Sequence, residues 1–265
     1  MGSALDDLLR ARLAAVGLDP SSFGDPGEAW SALHERFGRR ITLVDRYALE
    51  AETLGIAPED LPLELRDTLG HELLAVQFPG FVFAGDSGRS VRDPIEVVPY
   101  DPGWPVAFED WRTRLDVALA PSAVRIEHVG STAVPGLAAK PVIDVQVSVT
   151  DLEDEPAYVP AIEGIGIRLR SREPVRRYFR PSGDLPRVVQ VHVCATRSAW
   201  ERDHLLFRDY LRTHPEASGD YAALKTRLAE RYSDDRLAYT DGKTGMILDL
   251  LERAEEWATE VGWAR

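Results

Sequence analysis

A single cysteine, Cys194, serves 265 residues. One thiol can form no internal disulfide and cannot assemble a thiolate zinc cage within the chain. On an apolar, β-branched stretch it reads as a small core residue. Long apolar runs are missing too: none approaches the roughly 20 residues that cross a bilayer, so the sequence offers no membrane-spanning helix. The first residues, Met1-Gly2-Ser3-Ala4-Leu5-Asp6-Asp7, lack the basic flank and apolar centre of a secretory signal. A cytoplasmic location is therefore expected. Positive charge is in deficit, 31 Lys and Arg against 44 Asp and Glu, a formal net charge of −13. That balance argues against general nucleic-acid binding, which needs a basic surface for phosphate contacts. It leaves room for a small anionic ligand at a local basic cluster, and Arg168, Arg170, Arg172, Arg176, Arg177 and Arg180 form one.

What is present falls into two stretches. Residues 1–84 read as a mostly helical domain. Leu5, Leu8, Leu9, Leu13 and Val16 share a helical face, Trp30, Leu33 and Phe37 follow a cap and first-turn proline at Asp25-Pro26, and two further patterns run through Leu43 to Leu54 and Leu65 to Val76. The apolar faces suit either packing or recruitment of a protein partner. Residues 85–94 are small, polar and turn-prone, which predicts a linker. From 95 to 265 the pattern alternates. Strands are expected near 95–98, 124–129, 141–149 and 187–194, and helices over 104–119, 199–214, 221–232 and 244–257. This mixture predicts an α+β domain with a mixed sheet and packed helices.

The chemistry concentrates between Glu127 and Val147. An apolar strand runs into Gly130-Ser131-Thr132, a short loop follows, and a second strand carries Asp144 and Gln146. Glycine lets a backbone approach a phosphate closely, and Ser131 adds a hydroxyl beside exposed N–H groups. A carboxylate on the next strand can hold a divalent cation against the same phosphate, and Lys140 can offset further charge. The pattern equally describes a tight turn between two buried strands. Alternation places Asp144 with Gln146 on one face of their strand, and Gln190 with His192 on one face of theirs.

The run Glu127-His128-Val129-Gly130-Ser131-Thr132, continued by Val134-Pro135-Gly136-Leu137, Lys140-Pro141 and Ile143-Asp144, closely resembles the signature of the GrpB-like family. Tyr100, Trp104-Pro105 and Phe108 upstream resemble its entry segment, and His192, His204 to Leu211, Tyr221, Leu224-Lys225 and Tyr239 to Lys243 extend the likeness over about residues 95–253. The resemblance implies a nucleotidyltransferase-like fold and, through relatives joined to dephospho-coenzyme A kinase, a link to nucleotide chemistry. The residues themselves suit a nucleoside triphosphate as ligand and Mg²⁺, Mn²⁺ or Zn²⁺ as metal. Asp144, His192 and Glu127 are then the candidate ligands, and Asp144 and His192 the catalytic candidates. Gly130, Ser131, Thr132, Lys140, Arg177 and Arg180 are the candidate substrate contacts. Two departures stand out. Asp144-Val145-Gln146 lacks the second carboxylate of an active nucleotidyltransferase, and Gln190-Val191-His192 offers no third. Nucleotidyl transfer to a small acceptor and non-catalytic binding of a phosphorylated metabolite are both open on the sequence.

Overall fold

The computed structural model describes residues 42–77, 82–83, 94–182 and 185–264, together with residues 10, 13–14, 17–24, 28–29 and 32. The helical patterns expected around Leu5 to Val16 and Trp30 to Phe37, and the linker at 85–94, lie largely outside the described residues. The chain divides into two compact units, Met1–Pro79 with Asp235–Leu248, and Gly80–Asp234 with Asp249–Arg265. Among the described residues no helix is long and apolar enough to cross a membrane.

Within the first unit, helix α1 spans Leu43–Leu54 and α2 spans Leu63–Gln77. A capping box starts α1: the Thr42 hydroxyl accepts from the Asp45 N–H, and the Asp45 carboxylate accepts from the Thr42 N–H. Gly55 closes it at φ 67°, in the left-handed region where glycine has no steric penalty. Tyr47, 1% exposed, donates its hydroxyl to Asp235 at 2.8 Å, and the Leu43 N–H bonds the Asp241 carboxylate.

In the second unit, strand β1 (Val82–Phe83) is followed by helix α3 (Trp104–Leu119), β2 (Ala123–Val129) and β3 (Ile143–Val149). Next come α4 (Val159–Gly164), β4 (Ile167–Glu173), β5 (Arg176–Pro181), β6 (Val189–Ala195), α5 (Ala199–Thr213) and α6 (Pro215–Arg231). Helix α7 (Arg236–Asp241) belongs to the first unit, and α8 (Thr244–Val261) ends in the second. The sheet order is β1-β4-β5-β6-β3-β2, with β3 and β6 parallel and every other pair antiparallel. The fold is thus α+β, a mixed sheet with packed helices. Where 95–98 reads as a strand, the structure has only an isolated bridge from Val98 to Ala139. The β4–β5 hairpin stands where the sequence suggested a basic cluster.

Period-two alternation gives the sheet two unlike faces. Val145, Val147, Val191, Val193 and Phe179 point to one side and pack under Phe108 and Leu115 of α3, all within one buried cluster. Asp144, Gln146 and Ser148 of β3, with Gln190, His192 and Cys194 of β6, project from the other. Helix α5 lies over this polar face, its Glu201 accepting from Ser148 at 2.5 Å and its Arg208 reaching Glu127 at 2.8 Å.

Candidate functional site

Gly130 follows directly on β2, whose last residue, Val129, stands opposite Asp144 of β3. Its φ of 70° and ψ of −171° place it where a side chain is strained. A Cβ there would also lie 2.4 Å from Asp144 Oδ2 and 3.0 Å from Asp144 Cγ. Glycine is therefore required twice over, by the backbone and by the carboxylate it touches. A 3₁₀ turn, Ser131–Ala133, then swings the chain away.

Four side chains hold that turn in place. His128 stacks on Phe108 at 4.7 Å between centroids and 6° between planes, on the hydrophobic side of the sheet. Its Nε2 bonds Thr132 Oγ1 at 3.0 Å, and the Thr132 hydroxyl donates to the Val142 carbonyl at 3.2 Å, so Nε2 is the protonated nitrogen. Burial pushes the His128 pKa down to about 4, with the nearby Asp144 charge opposing and Arg212 and Arg208 adding to the fall. From α5, Arg212 donates twice to the Ala133 carbonyl, at 2.9 and 2.8 Å. From α6, the Lys225 ammonium, 2% exposed, donates to Ser131 Oγ at 2.9 Å and to the Ala138 carbonyl. It also lies 4.8 Å from the Tyr221 ring centroid. A cation thus stands directly behind the Ser131 hydroxyl.

On the sheet's polar face a second set converges. His192 Nε2 lies 3.4 Å from Asp144 Oδ1, and Arg176 Nη1 lies 3.1 Å from His192 Nδ1. A guanidinium only donates, so Nδ1 accepts and Nε2 carries the proton toward Asp144. Glu173 grips Arg176 with two bonds of 2.8 and 2.9 Å. Burial pushes the His192 pKa below the ordinary imidazole range, opposed by its bond to Asp144. Tyr178 and Trp200 flank the imidazole, with ring centroids at 5.3 and 5.6 Å. The neutral donor tautomer is therefore the state this surrounding favours.

The structure brings Gly130, Ser131, Asp144 and His192 together, and separates other candidates from them. Thr132 is 1% exposed and its hydroxyl is committed between His128 and Val142. Glu127 is on the Asp144 face but bonded to Arg208. Arg177 points to the opposite face from Tyr178 and is paired with Glu153 at 2.7 Å and Glu155 at 2.6 Å. Arg180 alternates onto the Tyr178 side of β5, and Lys140 sits half-buried just before β3. Other arginines of the basic cluster meet carboxylates: Arg168 faces Glu163, and Arg172 holds Glu155 below the usual carboxylate range. Cys194 is fully buried with its pKa raised to about 12 by burial, a core residue rather than a nucleophile. Of the further residues at this site, Arg176 reads in the sequence only as part of the basic cluster, and no local pattern marks Trp200 or Arg212, whose contacts with His192 and the Ala133 carbonyl come from a separate element, α5.

A resident metal centre does not fit this arrangement. His192 has both ring nitrogens engaged, Glu127 is paired with Arg208, and among the described residues no group of three His, Cys, Asp or Glu is placed to hold a metal. Asp144 by itself suits a Mg²⁺ that arrives on a phosphorylated ligand, because that ion is commonly held by one or two carboxylates plus substrate phosphates.

The chain is similar in sequence and in fold to known proteins. A sequence model of the family described as GrpB protein matches residues 94–253. A UPF0157 protein of Pseudomonas aeruginosa is 43% identical over 167 residues, covering 61% of this chain and 68% of that one. A dephospho-CoA kinase of Mycobacterium tuberculosis is 33% identical over 234 residues, covering 78% of this chain and 56% of that one. Among solved structures, the crystal structure of conserved protein GrpB from Enterococcus faecalis aligns with a TM-score of 0.55 and 33% identity, over 61% of this chain and 99% of that chain.

Proposed function

The chain belongs to the GrpB family, and on that footing we propose that it binds a nucleotide or a similar phosphorylated small molecule at the Gly130–Ser131 turn beside Asp144. One observation carries the reading: Gly130, which has no Cβ, abuts a strand carboxylate, with the Lys225 ammonium bonded behind Ser131. A phosphate alone would be repelled by Asp144. A phosphate bringing Mg²⁺ would not be, since the cation bridges the two negative groups. The ligand is therefore a metal-complexed phosphate, and Asp144 is the residue that selects for it.

Binding without turnover is the form of this reading that the side chains favour. Asp144 is the only carboxylate on its strand, Gln146 stands two residues on, and Gln190 and His192 occupy the neighbouring strand. His192 is held as a donor by Arg176, so it is ill-placed to accept a proton from an acceptor substrate. Nucleotidyl transfer is the second reading. Its support is the approach of His192 to Asp144 at 3.4 Å, which pairs an imidazole with the one carboxylate.

Calorimetry with ATP and with dephospho-CoA, each with and without Mg²⁺, tests both. Metal-dependent binding is expected in the native chain, weakened at least tenfold in a folded Asp144→Ala variant. Equal affinity in that variant would remove Asp144 from the site. Release of pyrophosphate from ATP would favour transfer over binding.

A further inference from the structure

Gln146 is 0% exposed, and neither its amide oxygen nor its amide nitrogen has a partner among the described residues. Interiors rarely leave both ends of an amide unmatched, because an unmade bond to a buried polar group carries the full desolvation penalty. Its neighbours on this face are engaged elsewhere. Asp144 faces His192, Ser148 donates to Glu201, and Glu127, directly opposite Gln146 across β2 and β3, accepts from Arg208. Arg208, 2% exposed, has the same defect: Nε bonds Asp209 and Nη1 bonds Glu127 and the His128 carbonyl, but Nη2 has no partner among the described residues. Gln146 and Arg208 thus flank one residue, Glu127, each with unmatched groups.

The unmatched groups define what would match them. Gln146 Nε2 and Arg208 Nη2 present hydrogens, whereas Gln146 Oε1 presents lone pairs. A metal cation would meet N–H groups, and an anion would leave the amide oxygen unmatched. A hydroxyl is the smallest group offering a donor and an acceptor on one atom. We propose that Gln146 and Arg208 form a hydroxyl-binding position beneath α5, filled by an internal water or by a hydroxyl of the bound ligand. The water form is independent of the nucleotide reading, while the ligand form rests on it.

A crystal structure of the full chain without ligand, with thermal unfolding of the native protein and a Gln146→Met variant in the presence and absence of ATP and Mg²⁺, tests the proposal. Methionine keeps the length and unbranched shape while removing both polar atoms. A solvent oxygen within hydrogen-bond reach of Gln146 and Arg208, with Tm lowered by roughly 2–4 °C in the variant, supports the water form. No such oxygen, an undiminished variant Tm, and loss of the ATP-induced rise in Tm support the ligand form. If no oxygen is seen and the ATP response is the same in both proteins, the position does not exist. Should Gln146→Met fail to fold, the native crystal structure decides: an amide turned onto a protein partner overturns the proposal. An ordered oxygen in a protein that ignores ATP would leave this position standing and the nucleotide reading fallen.

Discussion

His128 shows how one buried side chain couples the site to pH. It is 7% exposed, stacked on Phe108 and donating to Thr132, so the fold admits it only as a neutral ring. Its pKa of about 4 lies below the ordinary value of 6.5. The unfolded chain therefore takes up the proton first, and the contribution of His128 is complete above pH 6.5 and lost as pH falls toward 4. Between pH 7 and pH 5 this residue should withdraw about 1–2 kcal/mol of stability. Urea unfolding at the two pH values measures it: a His128→Gln variant, which keeps a donor for Thr132, should lose less stability than the native chain by that amount. Equal losses would mean that His128 does not set the slope. At the same scale, Gly130 and Asp144 act as one unit, since the carboxylate occupies the volume a Cβ would need.

At the scale of elements, α5 ties the polar face together. Arg208 and Arg212 share Asp209, which also accepts from the Trp263 indole at 3.1 Å, so one carboxylate orients two guanidinium groups. Those groups hold the end of β2 through the His128 carbonyl and the turn through the Ala133 carbonyl. Removing Arg212 as Arg212→Ala should cost about 1–2 kcal/mol of local stability, the value of charge-assisted bonds on a partly exposed side chain. Hydrogen exchange should locate the loss, with amides of residues 130–137 exchanging about tenfold faster and those of β3 unchanged. Uniform acceleration across the sheet would show Arg212 supporting the whole fold instead. The β4–β5 hairpin is the element the sequence hid best. Ile167-Arg168-Leu169-Arg170-Ser171-Arg172-Glu173 alternates with period two, and buried positions do alternate with more exposed ones along it. Its arginines read as a basic cluster open to a small anionic ligand because charge is the louder signal. Their carboxylate partners, Glu163 and Glu155, lie on or before α4, and spacing alone does not reveal them.

For the whole molecule, the division into two units does not follow chain order, since Asp235–Leu248 groups with Met1–Pro79. Within that unit Tyr239 is 1% exposed, Tyr47 bonds Asp235, and Leu43 bonds Asp241. A fragment of residues 95–265 would keep α7 without α1. Limited proteolysis should cut this fragment within residues 235–248, under conditions that leave the full chain intact there. Equal resistance would show that α7 holds its structure without the first unit.

The sequence alone was enough for what depends on local periodicity and on a contiguous motif. Strand alternation already put Asp144 beside Gln146 and Gln190 beside His192, and the run from Glu127 to Asp144 already marked the turn and the family. Tertiary structure decided which faces meet. Only the parallel pairing of β3 with β6 sets Gln146 opposite His192, and only the packing of α5 and α6 brings Arg208, Arg212 and Lys225 to a turn 81, 79 and 94 residues earlier in the chain, counted to Glu127, Ala133 and Ser131. The reason is physical. The direction of a side chain follows from its own backbone, but its partner follows from how every apolar face in the domain is buried at once.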